Sequence, residues 1–515
     1  MEYATHPLLK PNTLELREYQ VRILPSILER NSLVILPTGM GKTFLAIMAT
    51  CCRLQKFPGS RVLVMAPTRP LVVQHYHTFK RCLNLPEQDF ALLTGETAPC
   101  EREKLWEKGR ILFATPQVVE RDLLAGRFNL RDFSLLVFDE AHRAVGDYPY
   151  VFIAAQYMKS SRDPLVLGLT ASPGGERERI EEVKRNLFIQ SVQIRSEHDR
   201  DVSPYLMPVK IEWRRVELPE YFSTLRGLLQ GRLKEHLSLL KQAGLLPSTQ
   251  DVTKRELLKV QEQLLARQRE GENVSAQLLS QAICMKLLHA LELLETQGVY
   301  ALREALVRLQ VKGGQPGSSK SDRILSRDRD IQTALALCRS VEERGFPDHP
   351  KLTECLECVR EQLSANPESR ILIFANYRDT AERLVALLRA EGIRAEKLLG
   401  QAERGGSSGM SQAEQLRVIE QLKRREISAL VSTAVGEEGL DIPDVELVIF
   451  YEAVPSEIRS IQRRGRTGRT RPGRVVVLLA KGTRDEAYYW SAVRREREMR
   501  KVLRQRTLGE FACRS

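Results

Sequence analysis

The chain runs to 515 residues, of which 42% are hydrophobic and 28% charged, and it carries a formal net charge of +13. Such a composition excludes disordered and fibrous classes and leaves a globular protein of about three domains at ~150 residues each. The basic excess favours a polyanionic partner, whereas an aromatic content of 6% argues against a single-strand binder built on base stacking.

Residues 1–13 show no basic-then-apolar leader pattern. Leu16-Arg17-Glu18-Tyr19-Gln20 opens a helix. A glutamine shortly ahead of a glycine-rich loop can meet an adenine edge as both donor and acceptor, with Arg17 beside it; a surface glutamine is the plain alternative. Leu33-Val34-Ile35-Leu36 then reads as a buried parallel strand. It feeds Pro37-Thr38-Gly39-Met40-Gly41-Lys42-Thr43, and a helical pattern follows from Phe44 to Arg53. Strand, glycine-bearing turn and helix form the context a phosphate loop requires. The glycines let backbone N–H groups wrap a polyphosphate, and the helix start adds unpaired donors. Lys42 can reach the β- and γ-phosphates and Thr43 can ligate Mg²⁺, so ATP and Mg²⁺ are the expected cofactors. Leu36 stands where the general pattern has a glycine.

Arg61 to Ala66 is a second strand, closed by Pro67-Thr68-Arg69. Ile111 to Ala114 is a third, followed by Thr115-Pro116-Gln117. Polar groups at these strand ends, Thr68, Arg69, Thr115 and Gln117, suit sugar–phosphate contacts; plain connections are the alternative. Leu135 to Phe138 leads into Asp139-Glu140-Ala141-His142. Asp139 at a strand tip can hold Mg²⁺, and Glu140 can orient and deprotonate an attacking water. Val166 to Pro173 is a fifth strand with hydroxyls at its tip. Strands alternating with helices over 1–204 predict one doubly wound domain.

From 205 to 348 the texture turns helical, with periodic stretches at Tyr221 to Ala243, Thr253 to Arg269 and Ala276 to Leu309. Lys254 and Arg255 lead a set of cations interleaved with leucines, a phosphate-backbone contact or a solvated face. Gly313 to Ser319 reads as a flexible loop. Cys355 and Cys358 are a CxxC pair without a second pair, so they predict a shared helix face rather than zinc. The nine scattered cysteines read as reduced, and no apolar run reaches the ~18 residues of a membrane span, so a cytoplasmic setting is expected.

A second α/β pattern fills 349–484, with strands at Arg370 to Phe374, Ala429 to Thr433, Leu447 to Tyr451 and Arg474 to Ala480. Gly400 to Ser411 reads as a flexible turn. Gln462-Arg463-Arg464-Gly465-Arg466-Thr467-Gly468-Arg469 looks too charged for a core. Its guanidinium forks match phosphate oxygens, and Arg466 and Arg469 are candidate fingers on a transferring phosphoryl group. A basic helix closes the chain over 485–515.

PTGMGKT, DEAH, TASP and QRRGRTGR, in this order, resemble the signature set of superfamily-two helicases across nearly the whole chain. DEAHRA at Asp139 to Ala144, VSTAVGEEGLDIP at Val431 to Pro443 and YEAVPSEIRSIQRRGRTGR at Tyr451 to Arg469 look like archaeal Hef and its eukaryotic relative FANCM. The resemblance implies two RecA-like lobes around an all-helical insert, and an ATP-driven motor on branched DNA such as forks and junctions. It implies adenine contact for Gln20, phosphate and metal roles for Lys42, Thr43, Asp139 and Glu140, and backbone contact for Thr433. Gly439 and Asp441 would lie at the nucleotide-side interface, and Gln462, Arg466 and Arg469 would complete the site. Hef proteins often continue into a nuclease domain with an acidic ERK site; none appears before Ser515, so nuclease activity is not expected. Two rivals stay open: an RNA-directed ATPase of the RIG-I or Dicer type, and a clamp that binds ATP without useful turnover.

Overall fold

The computed structural model describes residues 2–171, 177–197, 199–346, 348–401, 409–437, 440, 442–453, 456, 459, 463–468 and 472–512, the side chains of 177 and 499–512 excepted. In the first lobe the strands are β1 (Ser32–Ile35), β2 (Arg61–Met65), β3 (Phe90–Leu93), β4 (Ile111–Ala114), β5 (Phe133–Asp139), β6 (Val166–Thr170) and β7 (Ser191–Ile194). They pair in the order β3-β4-β2-β5-β6-β1-β7, every pairing parallel. Alternate residues of one strand serve opposite layers. Val34, Val62, Val137 and Leu167 pack in one hydrophobic layer, while Leu33, Leu63, Phe138 and Val166 pack in the other. Because all strands run the same way, their C-terminal tips share one edge, where an open parallel sheet takes its ligands.

The second lobe begins earlier than the sequence suggests. β8 (Val209–Val216) joins β9 (Ile371–Phe374), β10 (Ala395–Leu398), β11 (Ala429–Ser432), β12 (Leu447–Phe450) and β13 (Gly473–Ala480) in a sheet ordered β10-β11-β9-β12-β13-β8. β8 lies parallel to β13 in register from Val209 opposite Gly473 to Val216 opposite Ala480. The expected boundary at 205 is thus corrected: β8 is an edge strand of the second sheet, and the helical insert starts after it. Its mostly exposed residues gave no apolar run to betray it.

The insert packs Glu220–Gln242 against Ser275–Gln297, with Phe222, Leu225, Leu229, Leu233, Leu237 and Leu240 buried at helical spacing. Thr253 caps Lys254–Arg269 through a reciprocal pair with Glu256. The stretch expected as one helix over 276–309 is two, Ser275–Gln297 and Val299–Gly314. Gly298 breaks it at φ 111°, and a Cβ there would lie 2.8 Å from Asp348 Oδ2. The expected loop over 313–319 begins later, since Gly313 and Gly314 end the second helix. Cys355 and Cys358 share a buried face of helix Pro350–Ala365. The closing helix, Arg484–Ala512, returns to the insert, where Arg484 Nη1 donates to Leu288 O at 3.0 Å. Among the described residues no helix is long and apolar enough to cross a membrane.

One polar cluster braces the first lobe behind its ligand edge. Asp122, fully buried, accepts from Arg102 at 2.7 and 2.8 Å, from Trp106 Nε1 at 2.9 Å and from Arg127 at 2.9 Å. Burial pushes the Asp122 carboxyl up, but these donors more than offset it and hold it below the usual range. A depressed carboxylate contributes stability above its unfolded pKa and loses it as pH falls through the folded one. Asp122→Ala strands a buried guanidinium and should cost about 3 kcal/mol or more in calorimetric unfolding at neutral pH, a deficit that narrows in acid.

Candidate nucleotide site between the lobes

The phosphate loop leaves the tip of β1 and enters helix Lys42–Lys56. Gly39 at φ 81° and Gly41 at φ 72° take left-handed backbone that side chains disfavour, which turns the loop over the helix start. Lys42 Nζ donates to Leu36 O at 3.2 Å, so its amine folds back over the loop it belongs to. Thr43 lies in the first helical turn.

Gln20 is buried against this loop: a Cβ on Gly41 would stand 2.3 Å from Gln20 Nε2. Its Oε1 accepts from the Arg17 N–H at 3.1 Å. The Arg17 guanidinium lies 5.4 Å from the Tyr205 ring centroid, and its Nη1 reaches Met40 Sδ at 3.9 Å. Tyr19 Oη donates to Met40 O at 2.7 Å. Arg17, Gln20, Pro37, Thr38, Gly39, Met40, Gly41, Lys42 and Thr43 therefore form one neighbourhood. Tyr19 and Tyr205 are additions to it; Tyr205 is more than 180 residues away in sequence, and nothing local signals it.

Asp139 ends β5, with β6 lying between β5 and β1. Burial pushes its carboxyl up, but the His75 Nε2–H bond at 2.8 Å, the nearby Lys42 charge and the Glu140 N–H at 3.0 Å hold it below the usual range. In the sequence His75 and His77 stand two apart with no acidic or cysteine partner nearby, which speaks against a metal site; the carboxylate His75 meets is 64 residues on. Glu140 turns left-handed at φ 49°, and His142 Nδ1 lies 3.3 Å from its Oε2 and 3.1 Å from Thr170 Oγ1 at the tip of β6. Buried Thr38 Oγ1 and Glu140 Oε2 make no hydrogen bond within the protein. Orphaned oxygens beside an ionised carboxylate and a lysine fit a triphosphate with its cation: Thr43 and Asp139 could hold the metal, Glu140 a water.

The arginine segment reaches this loop from the other lobe. A Cβ on Gly465 would lie 2.4 Å from Thr38 Oγ1 and 2.6 Å from Thr38 Cβ, so the Gly465 backbone packs on the Thr38 side chain at a distance that leaves no room for a larger residue. The expectation that these arginines stay out of the core is corrected. Arg463 is fully buried and Arg466 nearly so. Arg463 donates to Glu437 Oε1 at 2.8 Å, Asn376 Oδ1 at 2.7 Å and Glu452 O at 3.2 Å; Arg466 donates to Glu437 O at 2.6 Å and Leu440 O at 3.0 Å. Arg466 thus secures lobe two in this arrangement, a use its charge alone did not suggest. Gly439, Asp441, Gln462 and Arg469 lie outside the described residues.

The residues expected on nucleic acid divide. Thr68, Thr115 and Thr433 sit half-buried beyond the tips of β2, β4 and β11, and Gln117 is exposed. Arg69 is engaged by Glu96 and, across the lobes, by Gln412 Oε1 at 2.7 Å. In the insert Arg255 is exposed, while Lys254 forms an ion pair with Glu292, a partner the sequence pattern did not reveal.

Three families match in succession: "DEAD/DEAH box helicase" over 17–180, "Putative ATP-dependent RNA helicase, helical bundle" over 221–345 and "Helicase conserved C-terminal domain" over 353–471. The crystal structure of the Pyrococcus furiosus Hef helicase domain is 47% identical and superposes with a TM-score of 0.72, covering 94% of this chain and 99% of that one. A Methanocaldococcus jannaschii protein named "Putative ATP-dependent RNA helicase MJ1505" is 44% identical over 98% of this chain and 62% of its own length. The Mus musculus "Fanconi anemia group M protein homolog" is 33% identical over 93% of this chain and 25% of its own. The chain therefore spans less than two thirds of these curated relatives. It belongs to the Hef/FANCM-type helicases of superfamily two.

Proposed function

We propose that this chain closes two lobes on ATP and uses the closure to move along branched DNA. The approach of Gly465 to Thr38 carries the reading, because it brings the arginine segment to the phosphate loop. In the site, Lys42 and the loop amides bind the phosphates, Gln20 and Arg17 meet the base, and Glu140 accepts the proton of the attacking water. Thr43 and Asp139 would hold Mg²⁺, which would supply positive charge against the phosphates when bound. Arg466 leaves its carbonyl partners, or Arg469 takes its place, as phosphoryl charge develops. A site divided between lobes makes turnover depend on closure, so hydrolysis can drive stepping.

DNA as the track is supported by the "ATP-dependent DNA helicase MPH1" of Pyricularia oryzae, 34% identical over 95% of this chain and 46% of its own length. The name of the Methanocaldococcus jannaschii relative and that of the helical-bundle family support a second reading, in which duplex RNA is the track.

ATP turnover measured with forked DNA, linear duplex DNA and duplex RNA separates them. Forked DNA should stimulate most; equal or greater stimulation by RNA overturns the DNA reading. Glu140→Gln should retain nucleotide affinity while turnover falls about 100-fold or more, whereas Lys42→Ala should lose nucleotide affinity itself. Gly465→Val, which cannot seat on Thr38, should lower kcat about tenfold or more and leave binding of a fluorescent ATP analogue nearly intact. Normal turnover in that variant would remove the contact from the catalytic arrangement.

A further inference from the structure

The insert is tied to the arginine segment by a buried polar relay. Gln297, the last residue of insert helix Ser275–Gln297, is 4% exposed and enters lobe two. Its Nε2 donates to Glu452 Oε1 at 2.6 Å, and its Oε1 accepts from Thr380 Oγ1. Glu452, 1% exposed just past β12, accepts at Oε2 from the Asn376 N–H at 2.7 Å. Asn376, just past β9, accepts at Oδ1 from Arg463 Nη2 at 2.7 Å, and Glu452 O accepts from Arg463 Nη1. Two residues on, Gly465 lies against Thr38. Four side chains thus connect the root of the insert to the loop that holds the nucleotide.

The link is costly to break at any point. A carboxyl in this setting is pushed by burial up to about 7, although Lys351, Gln297 and Asn376 pull the other way. Without the Gln297 amide, Glu452 would have to turn or protonate, and the Asn376 backbone it holds would move. Asn376 in turn fixes one fork of Arg463. Buried groups of this kind have few satisfied arrangements, so a shift at one end demands a shift at the other.

We propose that Gln297 and Glu452 are positioning residues for ATP hydrolysis: through Asn376 and Arg463 they make the seating of residues 463–468 on the phosphate loop follow the position of the insert. The inference rests on that cleft being where ATP is hydrolysed, and not on the identity of the nucleic acid.

Amide hydrogen exchange on the full chain tests it, with a non-hydrolysable ATP analogue and Mg²⁺ present. In Gln297→Leu, exchange over 463–468 should rise about tenfold or more, while helix Lys42–Lys56 keeps its protection. In the swapped pair Gln297→Glu with Glu452→Gln, which retains an amide facing a carboxylate, protection should return. ATP turnover should follow the same order, with kcat reduced in the first variant, KM little changed, and kcat recovered in the second. Unchanged exchange over 463–468 in Gln297→Leu overturns the proposal. Should that variant not fold, Thr380→Val, which frees Gln297 Oε1 alone, should raise exchange over the same residues, and no rise overturns it equally. Nucleic acid is absent from the exchange measurement, so failure of the branched-DNA reading leaves this outcome interpretable.

Discussion

A guanidinium withdrawn from water must find partners for its charge and its fork of donors, and the site depends on how Arg463 does so. Its acceptors come from Glu437, Asn376 and Glu452, which follow the adjacent strands β11, β9 and β12. The rings of Phe374 and Phe450 lie beneath it at 4.9 and 5.6 Å. Burial lowers the Arg463 pKa, opposed by Glu437, yet Nε, Nη1 and Nη2 each donate to a matched acceptor and keep the ion in place. Because the three acceptors stand on the centre of one sheet, Arg463 has a single position relative to it. Arg466 is fixed a turn later on two carbonyls. The segment between them is therefore part of lobe two, and its meeting with Thr38 measures how closely the lobes approach.

The distribution of buried charge predicts where the molecule bends. The insert and lobe two share polar contacts at their junction: Arg383 with Asp348 at 2.5 Å, Gln297 Nε2 donating to Glu452 Oε1 at 2.6 Å, and Arg226 Nη1 donating to Gly482 O at 3.3 Å. Parting them would strip buried Glu452 and Asp348 of their partners, which is costly for carboxyls withdrawn from water. The described links between the lobes are lighter, as in the partly exposed Arg69–Gln412 bond and the glycine contact. Opening at the nucleotide cleft therefore costs much less than lifting the insert from lobe two. The insert can then travel with lobe two as the cleft opens and closes.

Much of this architecture was legible in the sequence, and most of the omitted strands share one cause. The strands read as apolar runs, such as Leu33-Val34-Ile35-Leu36 or Leu135 to Phe138, are interior strands covered on both faces. The four strands that escaped, β3, β7, β8 and β10, are the outermost members of the two sheets. Three of these are covered less: Ser191–Ile194 is half-buried throughout, Val209–Val216 alternates irregularly and Ala395–Leu398 is half-buried at its centre, whereas Phe90–Leu93 is an apolar run buried at three of four positions. The phosphate loop and the DEAH carboxylates were legible because their chemistry is local. Gln20, with its partners near in sequence, was legible by spacing. His75, Tyr205 and Glu452 were not, because each acquires meaning from a residue that only folding brings near. The burial of Arg463 was hidden for the same reason: charge in a string does not disclose which acceptors three strands will gather around it.

Glu140 shows how the fold sustains a conformation the residue itself disfavours. A left-handed backbone at a non-glycine residue costs of order 1–3 kcal/mol. Glycine would relieve that cost but would bring no carboxylate to the cleft. The strain is held from both sides. Upstream, β5 is buried at all seven positions, and Tyr150 Oη donates to Asp139 O at 2.8 Å. Downstream, Ala141 and Ala144 are fully buried and the Arg143 N–H closes on Glu140 O at 3.0 Å. Neither neighbour can move to let Glu140 relax into an extended continuation of the strand. The turn therefore redirects the chain at the sheet's ligand edge, and the carboxylate beside Asp139 keeps an oxygen that makes no hydrogen bond within the protein, with the His142 ring nitrogen 3.3 Å away. An acid held in this way need not reorganise when a water arrives, which is the condition under which a general base lowers a barrier most.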